Sequence, residues 1–168
     1  GYLGTAFGHA LAEAGASVVI SSRDEARGRE AAAKLSAPGG ASHHAVQLDQ
    51  MDSGALQRGF EAAVGAAGQV DVLVNNGLDA EGKDLTEISF DEFARHQANN
   101  AGYFELAKLH HDHAVQRGAP ASIINIGSMY GQVGSYPDAY EGICSASSVA
   151  YHALKGGTIH MTRHLAVY

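Results

Sequence analysis

The chain has 168 residues, 45% of them apolar, which is enough for one domain with its own core. Its 11 Lys plus Arg stand against 18 Asp plus Glu for a net charge of −7, with no basic cluster; this argues against nucleic acid and anionic membrane as partners. The longest strictly apolar run, Leu165 to Tyr168, is too short to span a bilayer, and the lone Cys144 excludes an internal disulfide or a multi-cysteine zinc knuckle.

In chain order, a helical pattern from about Leu3 to Ala14 leads into the β-branched run Val18 to Ser21. Ser22 to Leu35 is predicted helical and stops at Pro38-Gly39-Gly40. Ala45 to Leu48 is the second predicted strand. Ser53 to Ala67 is helical, with Leu56, Phe60, Ala63 and Val64 on one face. Val70 to Asn75 is the third strand. A helix from Phe90 to about Gln116, in one piece or two, precedes the fourth strand, Ser122 to Ile126. An aperiodic stretch, Gly131 to Ser147, separates it from a last helix beginning near Ser147. Strands alternating with long helices predict an α/β fold: a Rossmann-like, doubly wound parallel sheet with helices on both faces.

In such sheets ligands bind beyond the carboxyl ends of the strands. Polar residues stand at each predicted strand end: Ser22-Arg23, Asp49, Asn75-Asn76-Gly77 and Gly127-Ser128. Gly1 and Gly4 open the first helix, where free amides and the helix dipole favour a phosphate. Taken singly, each of these is explained by a helix cap or a turn. The sharper signal is Tyr151-His152-Ala153-Leu154-Lys155. Residues four apart share one helix face. A phenol, with its ordinary pKa of ~10, is a poor proton acceptor at neutral pH, and an ammonium beside it stabilises the phenolate.

Taken in order, these pieces resemble the short-chain dehydrogenase/reductase family across essentially the whole chain. GYLG, with Gly15-Ala16 following, looks like the end of that family's glycine-rich turn and its helix. Asn75-Asn76 resembles its NNAG element, Asn99-Asn100-Ala101-Gly102 its NxxG segment, Asn125 to Ser128 its serine-bearing strand, and YHALK its Tyr–Lys pair.

The resemblance implies an NAD(P)-dependent oxidoreductase acting on a small alcohol or carbonyl compound. It makes Tyr151 the general acid/base, with Lys155 supporting it and holding the nicotinamide ribose. Ser128 would position the substrate oxygen, and Asn99 would hold a water in the proton path. Gly1, Leu3, Ser22, Arg23, Asp49 and Asn75, with Tyr151 and Lys155, are the implied cofactor contacts. Ser22-Arg23 stands where an acid would select NAD, so NADP is preferred over NAD. The sequence departs from the family in three places. NNAG is spelled NNGL here, Tyr2 replaces a glycine of the commoner turn, and Ser128 lies 23 residues before Tyr151 rather than about a dozen.

Tyr130, Tyr136, Asp138, Tyr140 and Glu141 offer aromatic faces and acceptors suited to a sugar-like substrate; a lid or a subunit contact is the competing reading of the same loop. His110, His111 and His113 are expected on a solvated or intersubunit face, and no metal site is expected. A sugar-nucleotide epimerase or dehydratase sharing YxxxK, and a non-catalytic nucleotide-binding protein, are the alternatives. There is no GxxxxGK[ST] for a P-loop and no GxSxG around Ser128.

The composition and the lone cysteine suggest a reducing cytoplasm, and the intact protein is expected to be homo-oligomeric. Residues 1–168 are expected to form a partial dinucleotide-binding domain, its first strand preceding Gly1 and its last strands following Tyr168. In the family's strand numbering the expected order is 3-2-4-5, with a gap or a forced pairing between strands 2 and 4.

Overall fold

The computed structural model describes residues 1–168, and its helix starts follow from local capping. The first helix, α1 (Tyr2–Glu13), begins at Gly1 with no side chain on its free amides. Gly15, at φ +91°, turns the chain into strand β1 (Val19–Ser22). Asp24 accepts from the amides of Ala26 and Arg27 and so starts α2 at Glu25, three residues later than the Ser22 predicted from composition. After α2 (Glu25–Ala33) comes β2 (His44–Gln47), and Asp52 caps α3 (Ser53–Ala67) through the Ala55 amide at 2.8 Å. Strand β3 (Val72–Asn75) leads to α4 (Phe90–Arg117).

Helix α4 is a single 28-residue rod. Ser89 and Glu92 form a reciprocal capping box at its start, and Gly118 in the left-handed conformation ends it. Strand β4 (Ser122–Asn125) follows, then a 3₁₀ turn (Met129–Gly131) that leads into the aperiodic stretch and a second (Pro137–Ala139) within it. The last helix, α5 (Val149–Leu165), is capped by Ser148 accepting from the Tyr151 amide.

All strand pairing is parallel. β1 pairs with β2 in the register Val19–His44 to Ser22–Gln47, and β3 pairs with β4 from Val72–Ser122 to Asn75–Asn125. The two pairs form separate sheets, so the pairings within the expected order are present and the two pairs are not joined by strand hydrogen bonds. The core lies where α3 and α4 meet the strands. There Leu56, Phe60 and Leu106 pack with Leu48, Val64, Leu73 and Leu109. Cover is not complete on both faces as expected, since Ile124 in β4 stays 44% exposed.

The histidine face of α4 departs from its solvated reading. His111 is exposed and pairs with Asp112, but His113 is partly buried and accepts the Val70 amide. His110 is fully buried with its ring edge-on to Phe60, and neither of its nitrogens has a hydrogen-bond partner. The reason is helical period. His96, Asn99, Tyr103, Leu106 and His110 recur every three or four residues on one buried stripe.

Burial lowers the pKa of His110 below its ordinary 6.5, so the unfolded chain takes up this proton first. The stability that rests on the neutral ring is full above that value and is lost as pH falls through it. His110→Leu is expected to flatten the acid limb: from pH 7.5 to about 5.5 the wild-type protein loses more melting temperature than the variant. Equal losses in thermal melts at the two pH values would contradict this account.

Candidate active site

The expected site residues gather at the carboxyl ends of the strands and on the facing sides of α4 and α5. Helix α5 is locked against α4 by side-chain hydrogen bonds. Gln97 Nε2 donates to the Ala150 carbonyl (2.9 Å) and Asn100 Nδ2 to the Leu154 carbonyl (2.9 Å), while Thr158 Oγ1 donates to Asn100 Oδ1 (2.7 Å). These bonds fix the rotation of α5 and turn Tyr151 and Lys155 together toward the strand ends.

Lys155 is buried and has no carboxylate partner. Its Nζ donates to the Ile126 carbonyl at 2.6 Å and lies 5.7 Å and 5.8 Å from the ring centres of Tyr103 and Tyr151. Burial pushes its pKa down from the usual lysine value. The two neighbouring phenols differ. Tyr103 is buried, donates to the Gly77 carbonyl at 2.9 Å, and is pushed up to about 12, first by burial and then by the Tyr151 phenol. It stays a neutral donor. Tyr151 is half-buried, and its hydroxyl makes no hydrogen bond within the protein. Of the two tyrosines beside the cation, only Tyr151 has a free hydroxyl.

Ser128 lies three residues beyond the end of β4. Its Oγ accepts from the Tyr130 amide at 3.2 Å and opens the 3₁₀ turn Met129–Gly131. That turn lies flat on α5. A Cβ at Gly131 would come within 2.6 Å of the Lys155 carbonyl oxygen, so the residue there has to be glycine. The extra length between Ser128 and Tyr151 folds back over the start of α5. There the Ser135 amide donates to His152 Nε2 (3.1 Å), the Tyr130 ring lies 5.0 Å from His152, and the Tyr130 and Tyr140 hydroxyls bond to each other. Ser128 and Tyr151 form no direct bond.

Asn99 is buried and every polar atom of its side chain is engaged. Oδ1 accepts from Gln50 Nε2 (2.6 Å) and from the Asp79 amide (2.8 Å); Nδ2 donates to the carbonyls of Asp79 (3.0 Å) and His96 (2.8 Å). The side chain is therefore a clamp joining the loop after β2, the loop after β3 and α4. Gln50, absent from the sequence reading, also explains NNGL. A Cβ on Gly77 would overlap Gln50 Oε1, so the glutamine fills the space of the alanine in NNAG. Burial also lowers the His96 pKa, and its Nδ1 donates to the Asp79 carbonyl at 3.0 Å.

The expected cofactor contacts divide. Gly1 and Leu3 lie at the open start of α1, with no acid in its first turn. A Cβ on Gly4 would be 3.0 Å from Asn76 Nδ2, so helix and loop approach closely there. Ser22 Oγ accepts the Asp24 amide (3.2 Å), Arg23 extends its guanidinium from the end of β1, and Asp49 Oδ1 accepts the Met51 amide at 3.0 Å. Asn75 does not face the crevice. Its buried side chain donates to Asn125 Oδ1 (2.9 Å) and to the Tyr103 carbonyl (3.3 Å), tying β3 to β4 and α4, because strand alternation turns it inward. Asn76 is the residue beside the glycine turn. The open amides of α1, the Arg23 cation and the anion-free surroundings of Lys155 suit a phosphate-bearing dinucleotide. No cluster of metal-ligating side chains is present, and no helix is long and apolar enough to cross a membrane.

Residues 2–167 match the short chain dehydrogenase family. Among curated relatives, the short chain dehydrogenase/reductase astE of Aspergillus oryzae is 33% identical over 120 residues, covering 70% of this chain and 46% of the relative. Carbonyl reductase [NADPH] 2 of Sus scrofa is 30% identical over 108 residues, 64% of this chain and 40% of that protein. A short-chain type dehydrogenase/reductase from Mycobacterium marinum superposes with a TM-score of 0.84 at 24% identity, over 98% of this chain and 64% of that structure. The chain thus spans about half the length of the curated relatives it matches. With its parallel strand pairs and its Tyr–Lys helix, the chain belongs to the short-chain dehydrogenase family.

Proposed function

We propose that the protein is an NAD(P)-dependent oxidoreductase of small polar alcohols or carbonyls, with Tyr151 as its acid/base. The observation that carries this is the buried, carboxylate-free ammonium of Lys155 beside the one neighbouring phenol with an unengaged hydroxyl. In the reductive direction Tyr151 gives its proton to the forming alkoxide; in the oxidative direction it takes the alcohol's proton. Lys155 supplies the positive field that stabilises the phenolate between those steps. The Ser128 hydroxyl holds the substrate oxygen, and the clamped Asn99 keeps α4 in place for the proton path.

A bound nicotinamide dinucleotide supplies the hydride acceptor or donor. Gly1 and Leu3 at the start of α1 would hold its phosphates, Asp49 its adenine, and Ser22 and Arg23 its adenosine ribose. Arg23 favours NADP(H) over NAD(H), and the NADPH in the Sus scrofa relative's name agrees with that choice. Tyr130, Tyr140 and Glu141 favour a polyhydroxylated, sugar-like substrate. Replacing Tyr140 and Glu141 together by Ala is expected to raise substrate KM about fivefold to thirtyfold at little change in kcat, as loss of uniform binding does. An unchanged KM would assign the loop to a lid or a subunit contact instead.

The reading is tested by dinucleotide fluorescence with and without a panel of alcohols and carbonyls. Net oxidation or reduction of the dinucleotide is expected. Tight binding without net turnover would favour an epimerase or dehydratase, and binding unaffected by any substrate a nucleotide sensor.

A further inference from the structure

Asp79, in the loop after β3, is held on every side. Its amide and carbonyl are both bonded to the Asn99 side chain, and His96 Nδ1 donates to the same carbonyl. Its carboxylate accepts two bonds from Arg95 on one oxygen, Oδ2, at 3.1 Å and 2.8 Å. The other oxygen, Oδ1, faces Arg23 Nη1 at 4.0 Å. Arg23 follows β1, so this contact reaches across the crevice between the two strand pairs. The two partners differ in freedom. The Arg23 side chain is 68% exposed, whereas the Asp79 carboxylate is 24% exposed and its backbone is pinned.

We propose that Asp79 is a determinant of cofactor choice: its fixed carboxylate competes with a ribose 2′-phosphate for the guanidinium of Arg23 and so restrains the preference for NADP(H). The inference rests on the dinucleotide reading of the site given above. A 2′-phosphate, carrying close to two negative charges, needs the Arg23 cation and is repelled by a carboxylate beside it; a 2′-hydroxyl is uncharged, so it does not depend on the cation and meets no such repulsion. Arg95 tempers the competition, because its two bonds to Oδ2 offset part of the Asp79 charge. Arg23 also shares a hollow of ≈ 550 Å³ with Glu25, Asp49 and Arg58, so Asp79 is the anion that reaches it from the opposite strand pair.

The test is the ratio of NADPH to NADH dissociation constants, from fluorescence titration of the wild-type protein, Asp79→Asn and Arg95→Gln. Asp79→Asn preserves side-chain shape and backbone bonds. It is expected to tighten NADPH about threefold to tenfold and to change NADH less than about twofold. The gain should shrink at high salt and vanish in the Arg23→Ala background. Arg95→Gln, at an exposed position, should act in the opposite sense and weaken NADPH alone. An unchanged ratio in Asp79→Asn, an equal change for both dinucleotides, or a gain that survives Arg23→Ala would overturn the inference while leaving the dinucleotide reading intact. Failure of the wild-type protein to bind either dinucleotide would overturn that reading, and this inference with it.

Discussion

Lys155→Met lowers turnover by about a hundredfold to ten-thousandfold and raises the melting temperature in the same protein. The two effects share one cause. Lys155 keeps an ammonium buried against a single carbonyl, that of Ile126, with no carboxylate nearby, and burial already depresses its pKa. An unpaired buried charge destabilises a fold. Methionine fills similar volume without that cost, at the loss of one hydrogen bond. A net gain of about 1 kcal/mol corresponds to a rise of about 2–4 °C. Turnover falls because the phenol of Tyr151 loses the cation that stabilises its anion. Melting curves and steady-state kinetics on one preparation check both halves. A Met variant that melts lower and still turns over normally would show Lys155 to be a structural residue.

The largest effect on stability is expected at Gly102. A Cβ placed there would overlap the carbonyl oxygen of Gln50 and lie 3.2 Å from its carbonyl carbon, so the obstacle is backbone and has no rotamer to change. Gly102→Ala must push α4 away from the loop after β2. That movement breaks the 2.6 Å bond from Gln50 to Asn99. Overpacking of this kind costs about 3 kcal/mol, or a fall of about 6–12 °C in melting temperature. Gly77→Ala is the instructive comparison. Its Cβ also meets Gln50, but at the end of a side chain, which can swing away once it releases Asn99. A fall of less than about 2 °C for Gly102→Ala would contradict this account.

What was legible in the sequence was what a short window encodes. Helix α3 runs over the span its apolar period indicates, and the Tyr151–Lys155 spacing places both side chains toward one site as a helix must. The start of α2 differs from the predicted Ser22 because Asp24 acts as a cap rather than as part of the helix. The burial of His110 does carry a signal in the sequence: the period from His96 through Asn99, Tyr103 and Leu106 continues to His110 and marks one buried stripe. Asn75 likewise sits where strand alternation turns a side chain inward. Other parts of the site left no local trace. Gln50 meets Asn99, Arg23 meets Asp79 and Tyr103 meets Gly77, each across a long stretch of chain. Only the folded arrangement of strand ends brings those partners together. The NNGL spelling records one such pairing, but its cause is a glutamine from another loop.

The central claim is that Tyr151 carries the proton for a dinucleotide-dependent oxidation or reduction. It is tested most directly by comparing kcat of Tyr151→Phe and the wild-type protein at saturating dinucleotide, with dissociation constants measured on the same samples. Phenylalanine keeps the ring packed against Lys155 and Tyr130 and removes only the hydroxyl, which has no partner in the protein. The expected result is unchanged folding, dinucleotide binding within about threefold, and kcat reduced by about a thousandfold or more. A Tyr151→Phe protein that binds the dinucleotide and turns over at the wild-type rate would contradict the claim.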